Sequence, residues 1–437
     1  MPVPARSTAR SAAVGAALLA LTLATPAAQA APLAPAGGPA LHVDALRWVD
    51  GQPRLETRTA TGSAAAARLV RTLDADPALS DAQVRTTYRL TPTGSTGLPP
   101  RRLLSTDPYL KYAYHLTAID AFGAWPTTKG AGVTVAVLDS GVDATQPDLV
   151  GRVRSLGNFT RESDAIVVDH GTQVATVVAG AYGNGVGAAG VAPEVTILAG
   201  KVCERTGCAS DAIVAGITAA VKAGADVVNL SLGGPDQNRT TAATIEWAQA
   251  QGVVVVASAG NSGAEGNLVQ YPASYPGVLS VSASTTSGTA APWAQHNDAV
   301  DLSAPGESVP AGSPRKDGRY AVTAVAGTSF SAPQVAAAAA LVRAVAPAAD
   351  AATIGGWLTG TATRQSWPGG YGAGMLDVAA AVRAARDAQV PPAPPAAPAP
   401  PATTPPATAP PATTTPAPVP VPRGRRALRP VPVVPTR

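Results

Sequence analysis

The chain has 437 residues, of which 46% are hydrophobic and 14% charged, with two cysteines and a net charge of +4. Two cysteines exclude a disulfide-built scaffold and a four-cysteine zinc site. Arg423, Arg425, Arg426, Arg429 and Arg437 lie in an acid-free tail and Arg6 and Arg10 at the start, so residues 31–387 carry −3 and the chain's positive charge is no sign of a basic, nucleic-acid-binding enzyme surface.

Residues 1–30 read as a secretory signal peptide. Arg6 and Arg10 form the charged start, Ala12–Leu23 the apolar core, and Ala28-Gln29-Ala30 the small-residue cleavage signal. The apolar run is too short for a membrane span, and no other segment predicts a transmembrane anchor. Export predicts oxidised cysteines. In residues 31–105, an alanine-rich run through Arg68–Leu73 predicts an amphipathic helix stopped at Asp74-Ala75-Asp76-Pro77, and Val84–Leu90 predicts a strand.

Val133–Leu138 is a β-branched, apolar run that suits a strand buried on both faces, and it ends at Asp139. In open α/β sheets chemistry gathers at the carboxyl ends of strands. Taken alone, Asp139 reads first as a turn aspartate. His170, one of four histidines, heads a small-residue segment predicting a buried helix through Gly180. Alone, it is equally a helix-start histidine. Cys203 and Cys208 sit between a strand and a helix headed by Ser210; they read as a small disulfide loop, with free thiols as the alternative. Strand Asp226–Leu230 leads into Ser231-Leu232-Gly233, and strand Val253–Ala257 into Ser258-Ala259-Gly260-Asn261. Gly327-Thr328-Ser329-Phe330-Ser331-Ala332-Pro333 runs into the apolar stretch Gln334–Ala346, which predicts a buried helix. Ser329 then stands where backbone N–H groups are unpaired and the helix dipole is positive, a place suited to an oxyanion. An N-cap serine is the plain alternative. From residue 388 the chain turns low-complexity: 18 of 43 prolines fall in residues 391–437, a composition that stays extended and buries no core.

Three of these blocks, Val135–Val142 around Asp139, His170-Gly171-Thr172, and Gly327–Pro333 around Ser329, resemble the active-site blocks of subtilisin-like serine proteases (subtilases, peptidase family S8). The order Asp…His…Ser is that of subtilisin, unlike the Ser…Asp…His order of α/β-hydrolases. Further similarity extends the resemblance over residues 106–386. It implies an α/β catalytic domain at 106–387, doubly wound with a mostly parallel sheet, and a secreted serine endopeptidase. His170 would be the base, Asp139 its orienting carboxylate, Ser329 the nucleophile and Asn261 an oxyanion donor beside the Ser329 N–H. It also implies a substrate strand at Ser231, Leu232 and Gly233, a specificity pocket bordered by Ser258, Ala259, Gly260 and Gln270, and a cis bond before Pro272.

By the same resemblance residues 31–105 form a small α+β propeptide, a zymogen segment that chaperones folding and then acts as a transient inhibitor, removed by a cut between about Thr93 and Ser105. No cofactor is required. Asp148 resembles a calcium position of many relatives, which would make calcium a structural ion; a turn residue is the other reading, since the loop 181–187 adds only Asn184 and carbonyls. The basic tail 388–437 suggests cell-wall association or a solvated spacer. Mycosin-like subtilases also have proline-rich tails, but they end in a membrane helix, which this sequence lacks. The competing functions are a catalytically silent subtilase acting as a binding protein, and an amidase or esterase on the same scaffold. The partner expected is a peptide or protein substrate, with no nucleic acid.

Overall fold

The computed structural model describes residues 38–90, 94–97, 107–164, 169–317 and 319–389. The expected signal peptide, most of the expected processing stretch and the proline-rich residues from 390 on lie outside the described residues.

The N-terminal strands β1 (Ala40–Val49) and β2 (Gln52–Thr61) form a hairpin in full register, from Ala40 opposite Thr61 to Val49 opposite Gln52. Its turn, Asp50-Gly51, has positive φ at both residues, the combination whose twist matches the flanking strands. Helix α1 (Ser63–Asp74) covers one face, and strand β3 (Ser80–Val84) pairs with β1 on its other edge. Val43, Ala45, Ala66, Leu73, Leu79 and Ala82 close a small core between them. The strand predicted over Val84–Leu90 is split. Its first residue ends β3, whereas β4 (Thr87–Tyr88) leaves the hairpin sheet and pairs with β9 (Cys208–Ala209). The break falls at Arg85, whose guanidinium turns to Asp44 and Asp211. Strand β5 (Gly94–Gly97) follows.

Two short helices, α2 (Tyr114–Ala118) and α3 (Ala121–Ala124), lead into a seven-stranded parallel sheet. Its strands are β6 (Thr134–Asp139), β7 (Val153–Asn158), β8 (Thr196–Lys201), β10 (Val227–Leu230), β11 (Val254–Ser258), β12 (Leu279–Ser284) and β13 (Leu302–Pro305), in the order β13-β12-β11-β10-β6-β8-β7. The continuous apolar runs follow from burial on both faces. Val135 and Val137 of β6 and Val254 and Val256 of β11 point into one core, while Ala136, Leu138, Val255 and Ala257 point into the other. The first core lies under α4 (Asp169–Ala179) and α7 (Thr328–Val345), the second under α5 (Ser210–Lys222) and α6 (Arg239–Ala250). The sheet is therefore doubly wound. A β-ribbon, β14 (Val309–Gly312) with β15 (Val322–Ala326), precedes α7, and α8 (Ala351–Gly360) and α9 (Val378–Ala388) are the last elements of the described residues. Among the described residues no helix is long and apolar enough to cross a membrane.

Helix α7 is buried at every residue from Thr328 to Arg343. Its alanines let it pack closely on β11 and β12, so it runs through the domain interior rather than along its surface. Strand order reverses between β6 and β10, and the crevice at the carboxyl ends of such a pair is where open α/β sheets bind ligands.

His115 of α2 is fully buried, and neither ring nitrogen has a hydrogen-bond partner. Burial alone pushes its pKa down to about 3, because a desolvated imidazolium is unfavourable. The unfolded chain takes up this proton near pH 6.5 and the folded one does not, so the contribution of His115 to stability is full above pH 6.5 and is lost as pH drops towards 3. Between pH 6.5 and 4.5 the loss should be about 2–3 kcal/mol. His115→Met should flatten this limb, which denaturant melts at pH 6.5 and 4.5 would measure; equal slopes for both proteins would contradict it.

Candidate active site

Asp139 ends β6 and is wholly buried. Its Oδ1 accepts from the Ser140 N–H at 2.7 Å, and both carboxylate oxygens face His170 Nδ1, at 2.9 and 3.0 Å. A carboxylate only accepts, so Nδ1 carries the proton and Nε2 is left as the basic end of the ring. Nε2 is buried with no hydrogen-bond partner. His170 is the second residue of α4, and the N-terminus of that helix is tied to β6 by the Gly171 N–H donating to Ser140 Oγ at 3.1 Å. The approach is close: a Cβ on Gly171 would lie 2.2 Å from the Gly141 carbonyl. Only glycine lets the helix start sit this near the strand end, which is why His170 and Gly171 occur together.

Ser329 is the second residue of α7, after Gly327 at φ 137°. An N–H in the first helical turn has no intrahelical acceptor, so the Ser329 N–H points out of the helix start. The side-chain hydroxyl donates to the Ser231 carbonyl at 3.3 Å, and Ser231 Oγ donates in turn to the Ser329 carbonyl at 2.8 Å. The His170 ring packs against Phe330, centroids 5.4 Å apart. His170 thus packs on the residue that follows Ser329, and the Ser329 hydroxyl is bonded to Ser231 rather than to His170 Nε2.

Asn261 follows β11. Its Oδ1 accepts from the Thr328 N–H at 2.8 Å and from Thr328 Oγ1 at 2.9 Å. A backbone N–H can only donate, so the oxygen end of the amide faces the helix start and Nδ2 is its donor end. Gly260 N–H donates to Thr328 Oγ1 at 3.1 Å, which joins the β11 loop to the same turn. Ser331 is structural, its Oγ donating to the Ala304 and Pro305 carbonyls at 3.0 and 3.2 Å.

Gly233 and Gly234 form the floor of a groove. Gly233 exchanges backbone hydrogen bonds with Arg89 at 3.0 and 3.1 Å, and Gly234 with Tyr271 at 2.9 and 2.8 Å, just before the cis Tyr271–Pro272 bond. Leu232 turns into the core. Gly260, Asn261 and Gln270 line a cavity of about 500 Å³ with Gly233 and Leu268, within the usual range for a small-molecule or side-chain site. Ser258 and Ala259 are buried beneath it, Ala259 bonded to Val281. Gln270 packs on Gly260, whose φ of 111° and closeness to that side chain require glycine. Cys203 and Cys208 form a disulfide, and the following β9 is one wall of the groove. Tyr88 is fully buried against that wall, its hydroxyl 3.5 Å from that of Tyr275, and burial raises its pKa.

Asp148 lies apart from this edge. Its oxygens accept from Asn184 Nδ2 at 3.1 Å and the Ala188 N–H at 3.2 Å, beside Asp107, which accepts from the Gly183 and Gly185 N–H groups. Burial, with the nearby Asp107 charge, pushes its pKa up to about 7. Calcium takes six to eight oxygens, whereas here N–H donors face the carboxylates, and no group of three or more His, Cys, Asp or Glu among the described residues could hold a metal ion. This arrangement does not fit the ion, and no chemistry is assigned to calcium.

Several contributors were not singled out in the sequence. Asn229 Nδ2 donates to Ser231 Oγ at 2.9 Å and so steadies the contact to Ser329. Its signal was a lone amide in the apolar run Val227–Leu230. Thr328, which orients Asn261, had no signal of its own. Gln173, whose effect on the cleft the sequence left open, donates from Nε2 to Ser313 Oγ and Thr323 Oγ1, both at 3.1 Å, and so fastens α4 to the β14–β15 ribbon.

Residues 130–374 match the Subtilase family of peptidase S8, more than half the chain. Subtilisin DY of Bacillus licheniformis is 38% identical over 260 residues, covering 58% of this chain and 92% of that protein. Subtilisin E of Bacillus subtilis is 37% identical over 260 residues, covering 58% and 66%. Among solved structures, a protease from Pseudoalteromonas arctica superposes with a TM-score of 0.59 at 28% identity, over 64% of this chain and 99% of that one. Fold, residue order and relatives agree, and the chain belongs to the subtilases, the family of subtilisin-like serine proteases.

Proposed function

We propose that this serine endopeptidase cuts polypeptides through Asp139, His170 and Ser329, with Asn261 and the Ser329 N–H as the oxyanion hole, and that it is exported as a zymogen. The observation that carries this reading is the His170 ring, held at Nδ1 by both oxygens of buried Asp139 while Nε2, beside Phe330, has no partner. Ser329 Oγ attacks the scissile carbonyl as Nε2 takes its proton. The tetrahedral oxyanion accepts from the Ser329 N–H and from Asn261 Nδ2. His170 then returns the proton to the leaving amine, an acyl-Ser329 forms, and a water deprotonated by His170 releases the acid. Asp139 keeps the proton on Nδ1 throughout and stabilises the imidazolium.

A peptide-library digest by the purified protein tests the reading and reports cleavage preference; no cleavage, with no labelling by a serine-directed phosphonate, would sink it. Asn261→Ala should lower kcat by on the order of 10²–10³ with little change in KM, the magnitude known for the equivalent asparagine of subtilisin. A change confined to KM would assign Asn261 to ground-state binding instead.

Residues 31–105 are proposed as an inhibitory propeptide, supported by the Arg89–Gly233 pairing at the groove floor. Export rests on the leader composition of residues 1–30, and contact with an anionic cell wall on the five arginines of the tail.

A further inference from the structure

Lys201 ends β8 opposite Asp139 in the parallel register. The preceding pairs, Val135 with Ile197 and Val137 with Ala199, point into the core under α4, so Lys201 and Asp139 share that face. An apolar residue would suit the place, yet it holds a lysine that is only 4% exposed. The stem runs past the turn after Asp139: a Cβ on Gly141 would lie 3.7 Å from Lys201 Cδ. A strand spacing of about 5 Å and a stem of about 6 Å keep the ammonium within roughly 11 Å of the Asp139 Cα.

The loop after β7 supplies the counter-charge. Asn158 folds it back, its Oδ1 accepting from the Thr160 N–H and Oγ1 at 2.8 Å each and its Nδ2 donating to the Glu162 carbonyl at 2.6 Å. Lys201 Nζ donates to Glu162 Oε2 at 3.1 Å and to the Ser163 carbonyl at 3.0 Å, and Arg205 Nε donates to Glu162 Oε1 at 2.8 Å. Burial opposes the Glu162 charge, but the bonds to Lys201 and Arg205 outweigh it and hold the carboxyl below the usual range. The other charges around His170 are Asp139, Asp169 beside it on α4, paired with Lys316 of the β14–β15 loop, and Arg89, Glu204 and Arg205, which line a cavity with the ring. Phe330 of α7 brings none. Arg205 is 68% exposed, so water screens it; Lys201 has no such screen.

We propose that Glu162 is a positioning residue of this active site, holding the Lys201 ammonium in a neutral pair so that no uncompensated positive charge stands beside Asp139 and His170. The imidazolium formed as Ser329 attacks is stabilised by Asp139. An unpaired ammonium on the same face would repel that imidazolium and compete for the same carboxylate. The inference rests on the protease reading above and adds a residue to it that lies in none of the three active-site blocks.

The test follows the His170 ring by NMR titration in the full chain carrying Ser329→Ala, so that no turnover is needed, with His170→Gln identifying its signal. Glu162→Gln should lower the titration midpoint by about half to one pH unit, the size set by one charge roughly 10 Å away at an effective dielectric near 20 with some screening. Lys201→Met should raise it by a similar amount, and Lys201→Arg should leave it in place. The double variant Glu162→Gln/Lys201→Met should return to the parent value. Breaking a buried pair also loosens the fold, but loosening does not produce opposite shifts that cancel. With Ser329 restored, the acid limb of kcat/KM should move in the same directions. Midpoints within about 0.2 pH unit of the parent in both single variants, or shifts of one sign in both, would overturn the proposal. Should Glu162→Gln fail to fold, Lys201→Met against Lys201→Arg decides the matter. Opposite shifts with no cleavage would support the pair and count against the protease reading. Cleavage with fixed midpoints would do the reverse.

Discussion

Ser329→Ala should abolish turnover, lowering kcat by on the order of 10⁶ while leaving the fold intact; that magnitude is the one known for the serine of subtilisin. The structural reason for an intact fold is local. The Ser329 hydroxyl makes a single 3.3 Å bond, to the Ser231 carbonyl, whereas the turn that holds it depends on backbone and neighbouring groups: Ser231 Oγ to the Ser329 carbonyl, the Thr328 N–H to Asn261 Oδ1, and Ser331 Oγ to the Ala304 and Pro305 carbonyls. None of these uses the deleted oxygen. The residual rate should reflect oxyanion stabilisation and binding alone. Single-turnover kinetics on a long peptide, with phosphonate labelling of both proteins, measures this. Labelling of the alanine variant at the wild-type rate would show that the nucleophile is another residue, and a loss below tenfold would remove Ser329 from the chemistry.

Asp139→Asn should cost about 10⁴ in kcat with little structural change, as the same replacement does in trypsin-like triads. Asp139 Oδ1 accepts from the Ser140 N–H at 2.7 Å, and an asparagine oxygen would keep that bond. Its amide nitrogen would then occupy the Oδ2 position, 3.0 Å from His170 Nδ1, so that a donor replaces one of the two acceptors holding the Nδ1 proton, and the charge that stabilises the imidazolium is lost. The ring responds by moving its proton to Nε2, the atom that must accept from Ser329. The loss should shrink at high pH, where hydroxide and serine ionisation replace the missing base, so the pH–rate profile should rise steeply instead of levelling off. A flat profile with unchanged kcat would show that Asp139 only anchors the loop. Retained thermal stability separates either outcome from misfolding.

Much of this architecture was legible in the chain. The runs Val133–Leu138 and Val253–Ala257 announced strands buried on both faces because they are near-continuously apolar, and the structure gives alternate residues to different cores. The helix after Ser329 was legible for the same reason. Val84–Leu90 was not. Its composition suits one strand, yet Arg85 divides it between two sheets, because its ion pairs with Asp44 and Asp211 come from distant parts of the sequence.

The sequence by itself therefore determined the fold class, the order Asp139, His170, Ser329, and the delivery of these residues and Asn261 to strand ends and helix starts. These are local properties of period, punctuation and residue type. Only the tertiary structure decided how those groups are oriented. Thr328, 67 residues from Asn261, sets which end of its amide is the donor; Ser231, 98 residues before Ser329, holds its carbonyl; β15 offers an edge to the chain's own Gly94–Gly97. Hydrogen bonds between residues so far apart leave no periodic trace, because they arise only when packing of the two cores brings the strand ends together.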